Sequence, residues 1–211
     1  MAKSLRKISD TLFCLLQSEL PGERSHRKML PSMRGRIRTQ VKPKNAAVLI
    51  LLFENDSELH ITLIKRTEYE GVHSGQISFP GGMKEPSDRD LLHTAMRETS
   101  EETGIKAEDI KIAGKLSPIY IPVSKFKVQP FVGYLEYAPE FCPDPVEVDH
   151  MIIVPVKHLL KPEYLKKEKW NLSGEEVWVP FYSFNHYKIW GATAMILSEF
   201  MDVIEGIEPD L

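Results

Sequence analysis

Three glutamates and an arginine in the middle of the sequence have the spacing and chemistry of a reactive site. They are Glu98, Glu101, Glu102 and Arg97. On a helix the glutamates occupy positions i, i+3 and i+4, so the three carboxylates are expected on one face. Clustered carboxylates repel one another unless positive charge lies among them, and their hard oxygen atoms suit Mg2+ or Mn2+. The alternative is a solvated acidic face with Arg97 as its counter-ion. The flanking sequence favours the metal site.

The glutamates lie on a predicted helix that follows a glycine-rich break. Residues 76–79 predict a short extended run, which Pro80, Gly81 and Gly82 end. Pro86 is expected in the first turn of the following helix, and Gly104 is expected to stop it. A neighbouring face carries mostly apolar residues at three- and four-residue spacing, which predicts packing on a sheet. These residues are Leu91, Leu92, Ala95, Met96 and Thr99.

Residues 97–105, RETSEETGI, resemble the second half of the Nudix box, R-E-U-x-E-E-x-G-U, in which U is usually a bulky apolar residue. Thr99 is a mild departure at the first U. The first half of the box has a glycine and a glutamate before the arginine. Gly82 and Asp88 occupy these places if one extra residue is allowed before Arg97. The box then spans residues 82–105.

The longer spacing and the upstream sequence resemble the coenzyme A pyrophosphatase-like subfamily of Nudix hydrolases. Leu63, Arg66, Gly75 and the run from Phe79 to Gly82 match its signature, with Thr67 in a small-residue place. Ile64 stands near an expected threonine. Gly71 stands where the subfamily has a second arginine, which weakens the expected contacts with substrate phosphate.

The resemblance implies metal-dependent hydrolysis of a nucleoside diphosphate linked to another group. Coenzyme A or a derivative is the expected substrate, cleaved to 3',5'-ADP and 4'-phosphopantetheine. Glu98 and Glu102 are expected to be the principal ligands of Mg2+ or Mn2+, with Glu101 and the Gly82 carbonyl as additional ones, and Arg97 is expected to orient a glutamate. The alternatives are another substrate, such as ADP-ribose, or a binding module without turnover. The complete set of box residues favours an enzyme.

Several site residues outside the glutamate cluster are also predicted. Glu147 is the candidate catalytic base, and Asp149 and His73 are weaker candidates. Asp88 or Glu85 either completes the metal site or caps the helix, and capping is the expected role. The predicted substrate-binding residues are Arg66, Gly75, Phe79, Gly81, Arg34 and Arg36.

The N-terminal segment, residues 1–45, is predicted to pack on a Nudix domain of residues 46–211. Residues 3–19 have the apolar periodicity of an amphipathic helix. Residues 21–45 are rich in arginine, lysine and proline, which predicts an extended arm with little regular structure. The arm is either a solvated connector or a positive surface that attracts a polyphosphate. It has no interleaved aromatic residues, so nucleic acid is not an expected partner.

The remaining pattern predicts an α/β (α+β) protein with a mixed central sheet, and the resemblance implies an α/β/α sandwich. Strands are predicted at 46–53, 59–65, 110–116, 126–137 and 151–156, and a hairpin at 164–172 and 177–184. Pro130 implies an edge strand or a bulge. Residues 117–122 form a candidate substrate loop, and 139–147 a second proline-rich loop. Trp190–Ile204 is predicted as a closing helix.

Composition sets the broad class of protein. The 211 residues, with 27% charged and 42% hydrophobic residues, are typical of an ordinary globular domain. Cys14 and Cys142 are too few and too far apart for a disulfide framework or a zinc site. No apolar run approaches the ~20 residues of a membrane helix. These features predict a cytoplasmic protein without a membrane partner, and they leave a homodimer open. The small nucleotide-like substrate is what the family resemblance implies, and the composition of the basic arm argues against a nucleic-acid partner.

Overall fold

The computed structural model describes residues 3–32, 42–67, 75–172, 174–205 and 207. Arg34, Arg36, Gly71 and His73, which the sequence analysis singled out, lie outside the described residues.

The described residues contain an eight-stranded mixed sheet. Its strands are β1 (Lys44–Asn55), β2 (Glu58–Arg66), β3 (Ile77–Ser78), β4 (Gly81–Met83), β5 (Lys111–Lys115), β6 (Ile119–Ile121), β7 (Phe126–Tyr134) and β8 (Val148–Pro155). The long strand β1 is central: it runs parallel to β7 and antiparallel to β2 and β4. The predicted mixed sheet and α+β class are confirmed.

A smaller antiparallel sheet follows in the chain. It consists of β9 (Leu165–Leu172), β10 (Glu175–Phe184) and β11 (Tyr187–Trp190), with β10 in the middle. The predicted hairpin is confirmed by the pairing of β9 with β10. The predicted closing helix begins one residue late, because Trp190 pairs with Phe181 as the last residue of β11.

Helices cover both faces of the large sheet. They are α1 (Lys3–Leu16), α2 (Glu23–Lys28), α3 (Leu91–Thr103), α4 (Val156–Leu159) and α5 (Gly191–Ile204). Side chains alternate along β1, as in any strand. Ala47 and Leu49 belong to a core shared with Ala95 of α3, whereas Ile50 belongs to the core shared with Leu197 of α5. The sheet therefore lies between α3 on one side and α1 and α5 on the other, as the sandwich implies.

The N-terminal segment is held to α5 by a buried carboxylate. Glu199 is fully buried and accepts hydrogen bonds from the backbone N–H groups of Gly22 at 3.1 Å and Ser117 at 3.2 Å. Its other partner is the His26 ring, whose Nε2 lies 2.9 Å from Glu199 Oε2. Met29 is buried in the same core as α5. The predicted irregular arm is thus wrong for Glu23–Lys28, which form a helix; the domain boundary at residue 45 stays a prediction.

Two further predictions about local structure are wrong. Helix α3 begins at Leu91 and not near Pro86, because Asp90 caps it by accepting a hydrogen bond from the His93 N–H at 2.8 Å. Its predicted end is confirmed, since Gly104 has a φ of 74°. The candidate substrate loop at 117–122 contains β6.

The prediction that Pro130 marks an edge strand or a bulge is wrong. Pro130 is inside β7, opposite Val48 of β1, where the neighbour on the other side changes from β5 to β6. The register shift is in β5, between Ile112 and Gly114. None of the described helices is long and apolar enough to cross a membrane.

Candidate active site

The loop before α3 lies directly against the glutamates of the helix. Strand β4 pairs with β1, which places Gly82 opposite Ala47. An added Cβ at Gly82 would lie 2.4 Å from Glu98 Cδ, and one at Gly81 would lie 2.3 Å from the Ala47 carbonyl oxygen. At Gly81 the clash is with backbone atoms of β1, and its φ of 148° favours glycine, so glycine is required there for the backbone to approach β1. At Gly82 the clash is with the end of the Glu98 side chain, so a larger residue would displace that carboxylate from its position.

Glu102 is a buried carboxylate with one cationic and one backbone partner. Its side chain is 1% exposed. The Gly81 N–H donates to Oε2, and Arg66 Nη1 donates to Oε1, each at 2.8 Å. Burial raises the pKa of Glu102 to about 7, although both hydrogen bonds oppose the rise. The two hydrogen bonds therefore fix the orientation of this carboxylate, and burial makes its charged form less favourable.

Glu98 lies on the same helix face, one turn before Glu102. Its side chain is 14% exposed, and Arg97 Nη2 lies 2.9 Å from Glu98 Oε1. Burial raises the pKa of Glu98, Arg97 opposes the rise, and the negative charges of Glu101 and Glu147 add to it. Negative charge thus accumulates around Glu98 in excess of what Arg97 neutralises.

Arg97 is fixed by Asp88, a residue whose predicted role in helix capping is wrong. Arg97 donates from Nε and Nη2 to the two carboxylate oxygens of Asp88, both at 3.0 Å. Asp88 is buried and also accepts from Thr94 Oγ1 and the Glu85 N–H, both at 2.9 Å. The hydrogen bonds from Arg97 hold the pKa of Asp88 far below its usual range. The sequence feature that singles out Asp88 is its place in the box: counting from Gly82, it occupies the position of the first glutamate.

Glu101 is the outermost of the three box glutamates. Its side chain is 57% exposed and its Oε2 accepts from Arg97 Nη1 at 2.8 Å. Within the described ranges, no group of three or more histidine, cysteine, aspartate or glutamate side chains is close enough together to hold a metal ion. The fit to a hard divalent cation comes from the donor chemistry: Glu98 and Glu102 are fixed carboxylates whose charge burial disfavours, and a cation would relieve that cost.

A cavity of about 630 Å³ opens beside the glutamates. One part of its wall is polar and includes Glu98, Arg66 and Glu147. The rest is largely apolar and comes from β6, β7, the turn between them and the start of α5. A volume of this size with a few charged groups at one end is typical of a small-molecule site.

The structure brings together most of the predicted site residues that it describes. Phe79, Gly81 and Gly82 line the cavity together with Arg66, Glu98 and Glu147. Gly75 is not part of the cavity wall. Asp149 is not either, and its carboxylate lies 2.9 Å from Lys65 Nζ. Of the two candidate carboxylates, Glu147 lines the cavity and Asp149, in β8, does not; the catalytic base stays a prediction.

Two features of the site were not found from the sequence. Arg66 contacts the box glutamate Glu102 itself, and its Nη2 also lies 3.9 Å from Glu147 Oε2. Trp190 and the first residues of α5 line the cavity, although they lie about a hundred residues after the box in the chain. No local pattern indicates either feature, because both depend on how the strands pair.

The fold and the box define a member of a known family. Residues 43–195 match the NUDIX domain model, and the chain belongs to the NUDIX family. It is 36% identical over 170 residues to Nudix hydrolase 22, chloroplastic, of Arabidopsis thaliana, covering 77% of this chain and 56% of that protein. It is 31% identical over 178 residues to mitochondrial coenzyme A diphosphatase NUDT8 of Homo sapiens, covering 83% and 75% respectively.

These comparisons confirm the family resemblance and agree with the prediction of an enzyme. The chain spans little more than half the length of the Arabidopsis relative. A crystal structure of a MutT/nudix family protein from Enterococcus faecalis matches 97% of this chain and 76% of that one, with a TM-score of 0.53 at 16% identity. That likeness supports the fold. The relatives' names include chloroplastic and mitochondrial, so the cytoplasmic location stays a prediction.

Proposed function

We propose that this chain hydrolyses the diphosphate bond of coenzyme A or a derivative, giving 3',5'-ADP and 4'-phosphopantetheine, with Mg2+ or Mn2+. The observation that carries the proposal is that Glu98 lies in the polar wall of a cavity whose remaining wall is mostly apolar, with the buried Glu102 one turn further along the same helix face. A diphosphate fits the polar end once a cation is bound, and a long, largely uncharged arm fits the rest. The name of the human relative supports the same substrate class.

Glu98 and Glu102 are the proposed principal ligands, with Glu101 and the Gly82 carbonyl as additional ones. The cation would neutralise the diphosphate and lower the pKa of a water molecule. Arg97 orients Glu98, and Arg66 orients Glu102, as their ion pairs of 2.9 and 2.8 Å indicate. The roles of these residues stay predictions until variants are assayed.

Glu147 is the proposed general base. It lies in the cavity wall, its side chain is 51% exposed, and Arg66 is its cationic neighbour. A carboxylate that is open to the cavity is able to accept the proton of an attacking water while the buried glutamates keep their orientation. Glu147→Gln is expected to lower kcat by about 100-fold with little change in KM. Asp149→Asn is the matched control and is expected to retain kcat.

The deciding experiment is a substrate panel with purified protein and Mg2+ or Mn2+. The panel compares kcat/KM and identifies products by mass. Its compounds are coenzyme A, acyl and oxidised coenzyme A, dephospho-coenzyme A, ADP-ribose, diadenosine polyphosphates and oxidised nucleotides. Coenzyme A derivatives are expected to be cleaved fastest. Faster cleavage of ADP-ribose would favour the second candidate, a hydrolase of another nucleoside diphosphate derivative, for which Gly71 in place of the signature arginine is the motivating observation. No cleavage of any compound would favour a binding module.

The basic arm gives a further test of substrate charge. If Arg34 and Arg36 attract a polyphosphate, neutralising both lowers kcat/KM more at low than at high ionic strength. An unchanged kcat/KM at low salt would leave the arm as a connector. A homodimer and the absence of nucleic-acid and membrane partners stay predictions.

A further inference from the structure

Trp190 is a half-buried tryptophan in the cavity wall, at the end of β11. Its ring makes an edge contact with Trp170, with ring centroids 5.1 Å apart and an angle of 74° between the planes. Trp170 in turn stacks on Phe181 at 6.0 Å and donates from Nε1 to Glu168 Oε2 at 3.2 Å. The orientation of Trp190 is therefore set by a chain of packed aromatic rings.

The surroundings of Trp190 leave room for a flat group. The next residues in the cavity wall are Gly191 and Ala192, and an added Cβ at Gly191 would meet no atom within 4 Å. Phe79 also lines the cavity, but its side chain is only 1% exposed and offers no ring face. A pre-oriented indole beside open space binds a heteroaromatic ring with little loss of conformational freedom.

We propose that Trp190 is the platform on which the nucleobase of the substrate stacks, which rests on the proposed function in that the substrate is a nucleotide derivative. The diphosphate then lies between Trp190 and the glutamates of α3. The apolar wall at Ile121 and Val123 is left for the other half of the substrate. Trp190 would thus determine preference for the nucleotide half and not take part in bond cleavage.

Binding without turnover tests this assignment. The probe is adenosine 3',5'-bisphosphate, titrated into the metal-free chain of residues 1–211 by calorimetry and by tryptophan fluorescence. Trp190→Ala is expected to raise Kd about tenfold or more, the scale of losing one base–aromatic stack, whereas Trp190→Phe stays within about threefold. Binding is expected to quench fluorescence in the wild type and in Trp178→Phe, a control on the exposed surface of β10, and not in Trp190→Phe.

Turnover and a second probe complete the test. With coenzyme A, Trp190→Ala is expected to raise KM about tenfold and to change kcat less than about threefold. Affinity for 4'-phosphopantetheine is expected to be the same in both proteins. Three results would each overturn the assignment. They are an unchanged Kd for the bisphosphate in Trp190→Ala, no binding of the bisphosphate by the wild type, and a loss of affinity in Trp190→Ala that is confined to 4'-phosphopantetheine. Nucleotide binding that depends on Trp190, without cleavage of coenzyme A, would instead overturn the proposed function alone.

Discussion

Replacing Asp88 with asparagine is expected to destabilise the protein strongly. The change keeps the size of the side chain but removes the charge that accepts two hydrogen bonds from Arg97, and it introduces an amide N–H2 group facing other donors. One of those donors is the Thr94 hydroxyl, 2.9 Å from the carboxylate. The Asp88 side chain is 0% exposed, so water cannot replace the lost partner.

The expected loss in the free energy of unfolding follows from the burial of the ion pair between Asp88 and Arg97. Removing one partner of a buried ion pair costs about 3–5 kcal/mol, and the lower end applies because Arg97 retains Glu98 and Glu101. For a chain of this size, about 3 kcal/mol lowers Tm by roughly 6–12 °C. Because the folded-state pKa of Asp88 is depressed, its contribution is present above the ordinary carboxyl pKa and is lost as pH falls. The difference from wild type is therefore expected to persist from about pH 5 to 8 and to shrink below about pH 4.

Urea denaturation of the metal-free protein measures this free energy at several pH values. The control is Glu23→Gln, which removes an exposed pair with Arg27 and is expected to cost about 0.5 kcal/mol or less. A double-mutant cycle with Arg97→Gln isolates the coupling between Asp88 and Arg97. The reasoning is refuted if Asp88→Asn costs less than about 1 kcal/mol at neutral pH, or if its effect grows as the pH falls.

Three further predictions concern the site. Glu98→Gln is expected to lower kcat by about 100-fold or more in the panel assay without loss of fold, and near-normal turnover would exclude it as a metal ligand. Gly82→Ala is expected to match that loss, because its Cβ would lie 2.4 Å from Glu98 Cδ; an active variant would contradict the close packing. Since the pKa of Glu102 is raised to about 7, Mn2+ affinity measured by calorimetry is expected to fall about tenfold per unit below pH 7. A constant affinity between about pH 6 and pH 8 would argue against Glu102.

The fold was predictable where a single element carries its own pattern. The apolar run of β1 and the periodicity of α1 are local signals, and both elements are present. Helix α2 was missed because its six residues, ERSHRK, have no apolar periodicity and are held by Glu199 from the far end of the chain. Strand β3 lies within the extended run predicted at residues 76–79, whereas β4 was missed because three residues, two of them glycines, cannot show alternation.

The candidate site was predictable only along the helix that contains the box. The spacing of Glu98 and Glu102 indicates a shared face; Glu98 lines the cavity, and Glu102 is buried beside it against Arg66 and the Gly81 N–H. The contact of Arg66 with Glu102 depends on the pairing of β2 and on the loop before α3, which no local pattern specifies. The start of α3 was misplaced because Pro86 is a common first-turn residue, whereas the observed cap is the side chain of Asp90.

The buried contact of Glu199 with Gly22 and His26 has a consequence for how the protein is made. The partners are separated by 177 and 173 positions in the sequence. During synthesis Gly22 and His26 leave the ribosome well before their buried partner Glu199 is added. We therefore expect the sheet and α3 to form before α2 docks on α5. Nascent chains that stop before residue 199 are expected to leave α2 open to proteases, and extension through α5 to protect it.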